Sequence, residues 1–215
     1  TAGGDSIRAG VQTEASVLTA PRSVPSLLET IRWDDGWVWL EGHLDRLVAS
    51  SDYYGLGVDA EQLRAELDRI AATLEGPTAV RLVISDDGIE ATTREAPQRF
   101  ALGPGPDGEA VTVVVDLDPV DVRDPRLFHK TTDRRVYEQR RLRHPEADEV
   151  LLTNGSGNIT EGTVSNVAFL IDNVWTTPPV SEGLLPGVMR KRLLSDGVIE
   201  EQVVSLDDAR HAEAV

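Results

Sequence analysis

The sequence lacks cysteine, which excludes disulfide bridges and metal sites built on thiolates. Its four histidines are too scattered along the chain to indicate a metal cluster, so we expect no bound metal. No apolar run approaches the roughly 18 residues that a membrane-spanning helix requires, and no apolar leader opens the sequence. We therefore expect a cytoplasmic protein that does not enter a membrane.

Lysine is nearly absent as well. The 21 basic residues comprise 19 arginines and only two lysines, Lys130 and Lys191. A genome rich in G and C accounts for the general bias but not for the two exceptions. Arginine stays protonated at any working pH, whereas a lysine amine can lose its proton and attack a carbonyl carbon. Each lysine is therefore a candidate for amine chemistry.

The remaining composition is that of an ordinary globular protein, with 40% hydrophobic and 27% charged residues. A length of 215 residues suits one large domain or two small ones packed together. The net charge of −16 repels the phosphate backbone of nucleic acids, so we expect no nucleic-acid partner.

The first half of the sequence predicts two hairpins and two helices. Asp-Asp-Gly turns separate LLETIRW from WVWL, and AVRLVIS from IEATTRE, and each pair is typical of a hairpin. Between the hairpins, GHLDRLVASSDYYGL has the apolar spacing of a helix. A second helix is predicted from Asp59, as its N-cap, to Leu74, with Gly76 closing it.

The second half of the sequence is richer in strands. A strand in VTVVVDL precedes a helix over about 133–143, and the hairpin of EVLLT with ITEG follows. Next come a hairpin of SNVAFLI with VWTT, a helix in GVMRKRLL that begins just after Pro186, the strand EEQVV and a short acidic helix.

These elements predict an α+β protein in two parts. We expect a small α+β domain over residues 25–100, a linker rich in proline and glycine over 101–110, and a larger β-rich domain over 111–215. An extension over residues 1–24 is expected to precede them.

Lys130 lies in LFHKTTDRR, where the apolar pair Leu127 and Phe128 gives way to the start of a helix. Burial at such a place lowers the pKa of a lysine, and the neutral amine is the form that condenses with an aldehyde. A lysine that extends its amine from the end of a strand into solvent fits the local sequence equally well.

Three further positions are candidates with open alternatives. Glu161, between a Gly-rich turn and an apolar strand, is either an inward carboxylate that pairs with a pyridine nitrogen or a turn residue. Gly187 and Val188 begin a helix whose free N–H groups favour a phosphate, although most such helix starts bind nothing. Arg46 in HLDRL is either a solvated charge or a phosphate clamp.

Taken together, LLETIR, HLDRL, HKTTDRR, TEGTVSNVAF and LLPGVMRKRLL resemble the class IV aminotransferases, the fold-type IV pyridoxal-phosphate enzymes, from about Ser26 to Val215. The resemblance implies the fold of D-amino-acid and branched-chain aminotransferases, with a small N-terminal α/β domain and a larger C-terminal pseudo-barrel domain. It also implies a homodimer that acts on a small amino substrate.

The resemblance further implies a role for each candidate. Lys130 would be the catalytic residue and would carry pyridoxal 5'-phosphate, Glu161 would bond the pyridine nitrogen, and Arg46 would hold the phosphate. Further phosphate contacts would come from the turn and helix start at Gly187, Val188 and Met189. The sequence departs from many transaminases of the family by having methionine instead of Thr or Ser at 189, and we expect its C-terminal end to be incomplete.

Within the family the sequence resembles the 4-amino-4-deoxychorismate lyases, in which a methionine after this turn is familiar. That implies a lyase of folate biosynthesis that forms p-aminobenzoate and pyruvate. The alternatives are an aminotransferase that acts on branched-chain or D-amino acids with 2-oxoglutarate, and a cofactor-free, catalytically silent relative. The N-terminal stretch also resembles the junction in proteins that are fused to, or associated with, an aminodeoxychorismate synthase component.

Overall fold

An antiparallel sheet of three strands organises the N-terminal part of the chain in the computed structural model, which describes residues 24–96 and 111–215. Its strands are β1 (Leu27–Trp33), β2 (Thr78–Ser85) and β3 (Gly88–Glu95), in the order β1-β2-β3. Most of the predicted N-terminal extension, and the whole predicted linker, lie outside the described residues.

One of the two predicted N-terminal hairpins is confirmed and the other is wrong. Strands β2 and β3 pair from Thr78 opposite Glu95 to Ser85 opposite Gly88, as predicted. Strand β1 instead pairs along its whole length with β2, and the segment after its turn contributes only a bridge between Trp33 and Trp37. That segment cannot continue as a strand because it leads directly into a helix at Leu40.

Two helices cover one face of this sheet: α1 (Leu40–Tyr54) and α2 (Ala60–Ala71). The predicted N-cap of α2 is confirmed, since the Asp59 carboxylate accepts the backbone N–H of Gln62 at 2.7 Å. The helices turn leucines spaced three and four residues apart toward the sheet, and burial of each contributes about 1.5–3 kcal/mol. The resulting core consists of Leu27, Ile31, Leu44, Leu47, Leu63, Leu67, Val80, Leu82 and Ile84.

The end predicted for α2 is wrong. The helix ends at Ala71 instead of Leu74, because the N–H groups of Thr73 and Leu74 bond to carbonyls three residues back, whereas a continued α-helix would bond them to carbonyls four residues back. The N–H of Thr73 donates to the carbonyl of Ile70, and that of Leu74 to the carbonyl of Ala71. Gly76 therefore does not close this helix.

The C-terminal part contains two smaller mixed sheets. Their strands are β4 (Val113–Val120), β5 (Glu149–Asn154) and β6 (Ile159–Gly162) in one sheet, and β7 (Phe169–Ile171), β8 (Val174–Thr177) and β9 (Glu200–Glu201) in the other. The helices of this part are α3 (Arg135–Arg143), α4 (Val188–Ser195) and α5 (Leu206–His211). Strands β4 and β5 run parallel with α3 in the connection between them, whereas β5–β6 and β7–β8 are antiparallel pairs, as the sequence predicts.

The predicted α+β class is confirmed by these mixed sheets and helices. Among residues 24–96 and 111–215, none of the helices combines the length and the apolar composition that crossing a membrane demands.

Candidate active site

A cavity of about 620 Å³ is lined by residues from both parts of the chain. Its wall includes β1 and α1 from the N-terminal part, and the segment before α3, the end of β6 and the start of α4 from the C-terminal part. Lys191, the other candidate lysine, is not among the residues that line this cavity, whereas six positions that the sequence singles out line it together: Arg46, Lys130, Glu161, Gly187, Val188 and Met189.

The backbone around Lys130 is held against the first strand. The N–H of Leu28 donates to the carbonyl of Lys130 at 2.9 Å, and the N–H of Thr132 donates to the carbonyl of Ser26 at 2.8 Å. This pairing places the Lys130 side chain on the cavity wall. Burial lowers the pKa of the Lys130 amine, because the charged form is the one that loses solvation. The amine is thereby shifted toward its neutral, nucleophilic form.

Glu161, in β6, is 4% exposed and is held by donors that carry no charge. Tyr137 of α3 donates its hydroxyl to Oε1 at 2.8 Å. The backbone N–H of Leu185 reaches Oε2 at 3.2 Å, and the side-chain amide of Asn166 reaches it at 3.3 Å. Burial raises the pKa of Glu161 to about 7, and the hydrogen bonds from Tyr137 and Leu185 oppose that rise without cancelling it. We call these four residues the Glu161 group.

Arg46 is engaged with a second buried carboxylate. Its Nε and Nη2 atoms donate to Glu29 at 2.6 and 2.9 Å, and His43 Nδ1 lies 2.9 Å from the same carboxylate. Burial alone would raise the pKa of Glu29, but the bonds from His43 and Arg46 outweigh it and lower that pKa to about 2. The remaining Nη1 of Arg46 donates to the carbonyl of Pro186 at 3.2 Å. We call Glu29, His43 and Arg46 the Glu29 group.

The turn before α4 is shaped by close packing. A Cβ atom on Gly187 would lie 1.9 Å from Oδ1 of Asn166, so any other residue at position 187 would clash with the Asn166 side chain. Gly187 is the N-cap of α4, and no side chain caps this helix. The first N–H groups of the helix, at Val188 and Met189, therefore have no acceptor within the helix. Arg46 bonds to the carbonyl of Pro186 in this turn, so its guanidinium lies next to the start of the helix that carries these N–H groups.

Sequence analysis did not identify Glu29, His43, Tyr137 and Asn166. A signal exists for the first two: Glu29 lies between apolar residues of a strand, and His43 precedes Arg46 by three residues, which places both on one face of α1. An inward carboxylate requires such partners. For Tyr137 and Asn166 no comparable local signal exists.

The first sheet adds two arginines to the cavity wall. Arg32 and Arg94 lie opposite Ala79 on neighbouring strands, so the three residues form one row across the sheet. Within residues 24–96 and 111–215, the guanidinium of Arg94 has no ion pair or hydrogen bond. Arg32 is paired with Asp34 at 3.3 Å, so among the described residues it is Arg94 that brings an unpaired positive charge from this row to the cavity wall.

The chain is similar to known proteins in sequence and in fold. The sequence profile described as amino-transferase class IV matches residues 26–215. A Schizosaccharomyces pombe protein provisionally named aminodeoxychorismate lyase is 32% identical over 199 residues, which cover 88% of this chain and 83% of that protein.

Two solved structures are similar to the chain as a whole. A provisionally named amino-acid aminotransferase from Mesorhizobium loti superposes with a TM-score of 0.76 and 31% identity, covering 87% of this chain and 91% of that one. The branched-chain amino acid aminotransferase from Thermobaculum terrenum, solved in its PLP form, has a TM-score of 0.72 and 20% identity, with coverage of 88% and 71%. The second likeness is one of fold.

Proposed function

Because the chain belongs to the amino-transferase class IV family, we propose that it is a pyridoxal-phosphate-dependent lyase that converts 4-amino-4-deoxychorismate into p-aminobenzoate and pyruvate. The observation that carries the proposal is that Lys130, Glu161 and the Gly187 turn line a single cavity. The choice of lyase is supported by the 32% identity to the fission-yeast relative and by methionine at position 189.

The residues present fit this cofactor. The cavity wall holds an amine with a lowered pKa, a buried carboxylate and an uncapped helix start beside an arginine. Lys130 Nζ would bind the aldehyde carbon and Glu161 the ring nitrogen, and Arg46 with the first amides of α4 would bind the phosphate. When bound, pyridoxal phosphate supplies an electron-withdrawing ring that acidifies the carbon next to the substrate nitrogen.

Lys130 is positioned to move a proton. Lys130 Nζ would be free to act as a base once the substrate amine replaced it at the aldehyde carbon, and this neutral amine would take the proton from the ring carbon of the substrate that bears the nitrogen. The electron pair of that C–H bond enters the substrate ring, and the bond from the neighbouring carbon to the ether oxygen breaks. Lys130 then returns the proton to the departing three-carbon enol, which becomes pyruvate. The substrate ring becomes aromatic, so the step is hard to reverse.

Arg94 on the cavity wall supports a substrate that carries carboxylates. Arginine binds carboxylates through a planar pair of N–H donors, and the guanidinium of Arg94 is unpaired among the described residues. 4-Amino-4-deoxychorismate carries two carboxylates. The unpaired guanidinium of Arg94 on the cavity wall therefore suits it better than it suits the apolar side chain of a branched-chain amino acid.

The second candidate function is that of an aminotransferase. It is favoured by the 31% identity and TM-score of 0.76 to the Mesorhizobium loti structure, which is named for amino-acid aminotransferase activity. In this case the substrate would be a branched-chain or D-amino acid, it would leave as a keto acid, and 2-oxoglutarate would receive the amine. The same Lys130 would move the proton.

The first experiment locates the cofactor. The protein is incubated with pyridoxal phosphate, reduced with borohydride, digested and analysed by mass spectrometry, and we expect the added pyridoxyl mass on Lys130. Lys130→Ala should abolish the mass and turnover. Lys191→Ala, which removes the only other lysine, is the matched control and should change neither. Absence of the mass would refute the proposal and leave the cofactor-free, catalytically silent relative, and its presence on Lys191 instead would refute the role proposed for Lys130.

The second experiment separates lyase from aminotransferase. Loaded protein is supplied either with 4-amino-4-deoxychorismate, or with branched-chain or D-amino acids plus 2-oxoglutarate. We expect p-aminobenzoate and pyruvate in equal amounts from the first mixture and no glutamate from the second. Glutamate from the second mixture without p-aminobenzoate from the first would establish the aminotransferase instead.

A further inference from the structure

We infer that Tyr137 is a positioning residue for Glu161, and that its buried hydroxyl holds the carboxylate in the ionised form that keeps the ring nitrogen of the cofactor protonated. The inference rests on the proposed function, because it concerns the carboxylate that would face the pyridine nitrogen. It assigns a role to a tyrosine that carries out no chemical step itself.

The hydroxyl of Tyr137 is committed to this carboxylate. It lies 2.8 Å from Glu161 Oε1 and 3.5 Å from the carbonyl of Arg126. A phenol has one proton to donate, and only the shorter distance is that of a strong hydrogen bond. The Tyr137 ring is itself fixed, since it packs in the buried cluster with Leu152 and the guanidinium carbon of Arg134 lies 4.9 Å from its centre.

The other donors leave the carboxylate room for a ligand. The N–H of Leu185 and the amide of Asn166 both reach Oε2, and in the described part of the chain Tyr137 is the one donor to Oε1. An ionised carboxylate offers about four acceptor positions, so three donors do not exhaust it. Because Glu161 and Tyr137 both line the cavity, the remaining capacity is available to a group bound there.

The partners of Glu161 decide where a shared proton resides. Burial favours the neutral acid and raises the pKa of Glu161 to about 7, and the charged or titratable groups that oppose it are Tyr137, Lys130 and Arg134. Loss of the Tyr137 donor would raise that pKa further. A proton shared with a pyridine nitrogen would then stay on the carboxylate, and the ring would withdraw fewer electrons.

The test is Tyr137→Phe, which removes one oxygen atom and keeps the ring. Each protein is loaded with pyridoxal phosphate labelled with nitrogen-15, and the chemical shift of the ring nitrogen is read by NMR. We expect the protonated signature in the wild type and a shift toward the unprotonated position in Tyr137→Phe, with kcat lower by about tenfold or more. Tyr53→Phe, which loses an exposed hydroxyl, is the matched control and should resemble the wild type.

A double variant tests whether Tyr137→Phe changes the nitrogen signal through Glu161. In a Glu161→Gln background the carboxylate is gone, so Tyr137→Phe should produce no further change in the nitrogen signal. The chain has only three tyrosines. If Tyr137→Phe fails to fold, 3-fluorotyrosine in all three places allows the same test by fluorine-19 NMR, where Glu161→Gln should move the Tyr137 signal and leave the other two in place.

The outcomes separate the inference from the proposed function. Absence of a pyridoxyl mass on Lys130 in the wild type would refute the function, whatever Tyr137 does. A wild type that carries this mass, with a ring-nitrogen signal that is unchanged in folded Tyr137→Phe, would overturn the inference alone. In the fluorine experiment, a Tyr137 signal that Glu161→Gln leaves unmoved would also overturn it.

Discussion

The Glu29 group and the Glu161 group each contain a buried carboxylate, and the two carboxylates are 1% and 4% exposed. Their pKa values nevertheless move in opposite directions from the same ordinary value of 4.5, to about 2 for Glu29 and about 7 for Glu161. Burial penalises both charged forms, so the difference comes from the partners. Arg46 brings a full positive charge to Glu29, whereas a phenol and two amides contact Glu161.

This difference separates structural from chemical use of a carboxylate. Glu29 is neutralised within the protein, since Arg46 contacts both of its oxygens and His43 lies against one of them. Glu161 lacks a cation at hydrogen-bond distance among the described residues and lines the cavity. Groups whose pKa values are shifted by desolvation in a cleft are those that binding sites use. We therefore propose that the Glu29 carboxylate anchors α1 and holds Arg46 in place, whereas the Glu161 carboxylate meets the ligand.

The largest effect should come from breaking the ion pair of the Glu29 group. Glu29→Gln leaves Arg46 buried without its counter-charge, and we expect a loss of about 3–5 kcal/mol in the free energy of unfolding. Urea denaturation at pH 7 measures it. The matched control is Glu41→Gln, because Glu41 pairs with Arg64 in solvent and its loss should leave the free energy of unfolding close to that of the wild type. Equal losses in the two variants would show that the buried ion pair of the Glu29 group stabilises the protein no more than an ion pair in solvent.

Much of the fold could be predicted from sequence because its signals are local. The β2–β3 hairpin is announced by its own Asp-Asp-Gly turn, and the N-cap of α2 by Asp59. The pairing of β1 with β2 could not be predicted, since two helices separate these strands and no local pattern specifies such a distant partner. Both strands are apolar enough to be buried wherever they find a neighbour.

The candidate site likewise contains residues that local sequence predicts and partners that only the fold brings to them. Lys130 and Glu161 are conspicuous by residue type and by their neighbours in the sequence, and the structure brings both to one cavity. The hydroxyl that bonds to Glu161 Oε1 belongs to Tyr137, which is 24 residues away in sequence and meets it because α3 contacts β5, the strand that pairs with β6. Arg46 was predicted as a phosphate clamp, and the structure adds Glu29, 17 residues away, as its partner.

The second prediction uses pH to compare the two groups. Glu29 has a folded pKa near 2, below 4.5, so its contribution of on the order of 3 kcal/mol is present above pH 4.5 and is lost as pH falls toward 2. Glu161 has a folded pKa near 7, above 4.5, so the cofactor-free protein should lose stability as pH rises from 4.5 to 7. Denaturation free energies across pH 2–8 measure both slopes.

Variants assign each slope to its residue. Glu29→Gln should flatten the acid slope and leave the slope between pH 4.5 and 7 intact, and Glu161→Gln should do the reverse. A wild-type slope between pH 4.5 and 7 that survives Glu161→Gln would show that another group titrates there.

The smallest effect should come from a neutral donor of the Glu161 group. Asn166→Ala removes the amide that reaches Glu161 at 3.3 Å and the carbonyl of Leu185 at 2.9 Å, and we expect a loss of about 1–2 kcal/mol in the free energy of unfolding. The upper pH limit of the stability loss that Glu161 causes should also rise. This rise should be smaller than in Tyr137→Phe, because the lost bond is longer. Asn158→Ala, which removes a 2.9 Å bond to Glu182, should leave that limit at its wild-type position. A loss as large as that of Glu29→Gln would mean that neutral and ionic partners stabilise buried carboxylates equally in this protein, which is the opposite of what the two pKa values imply.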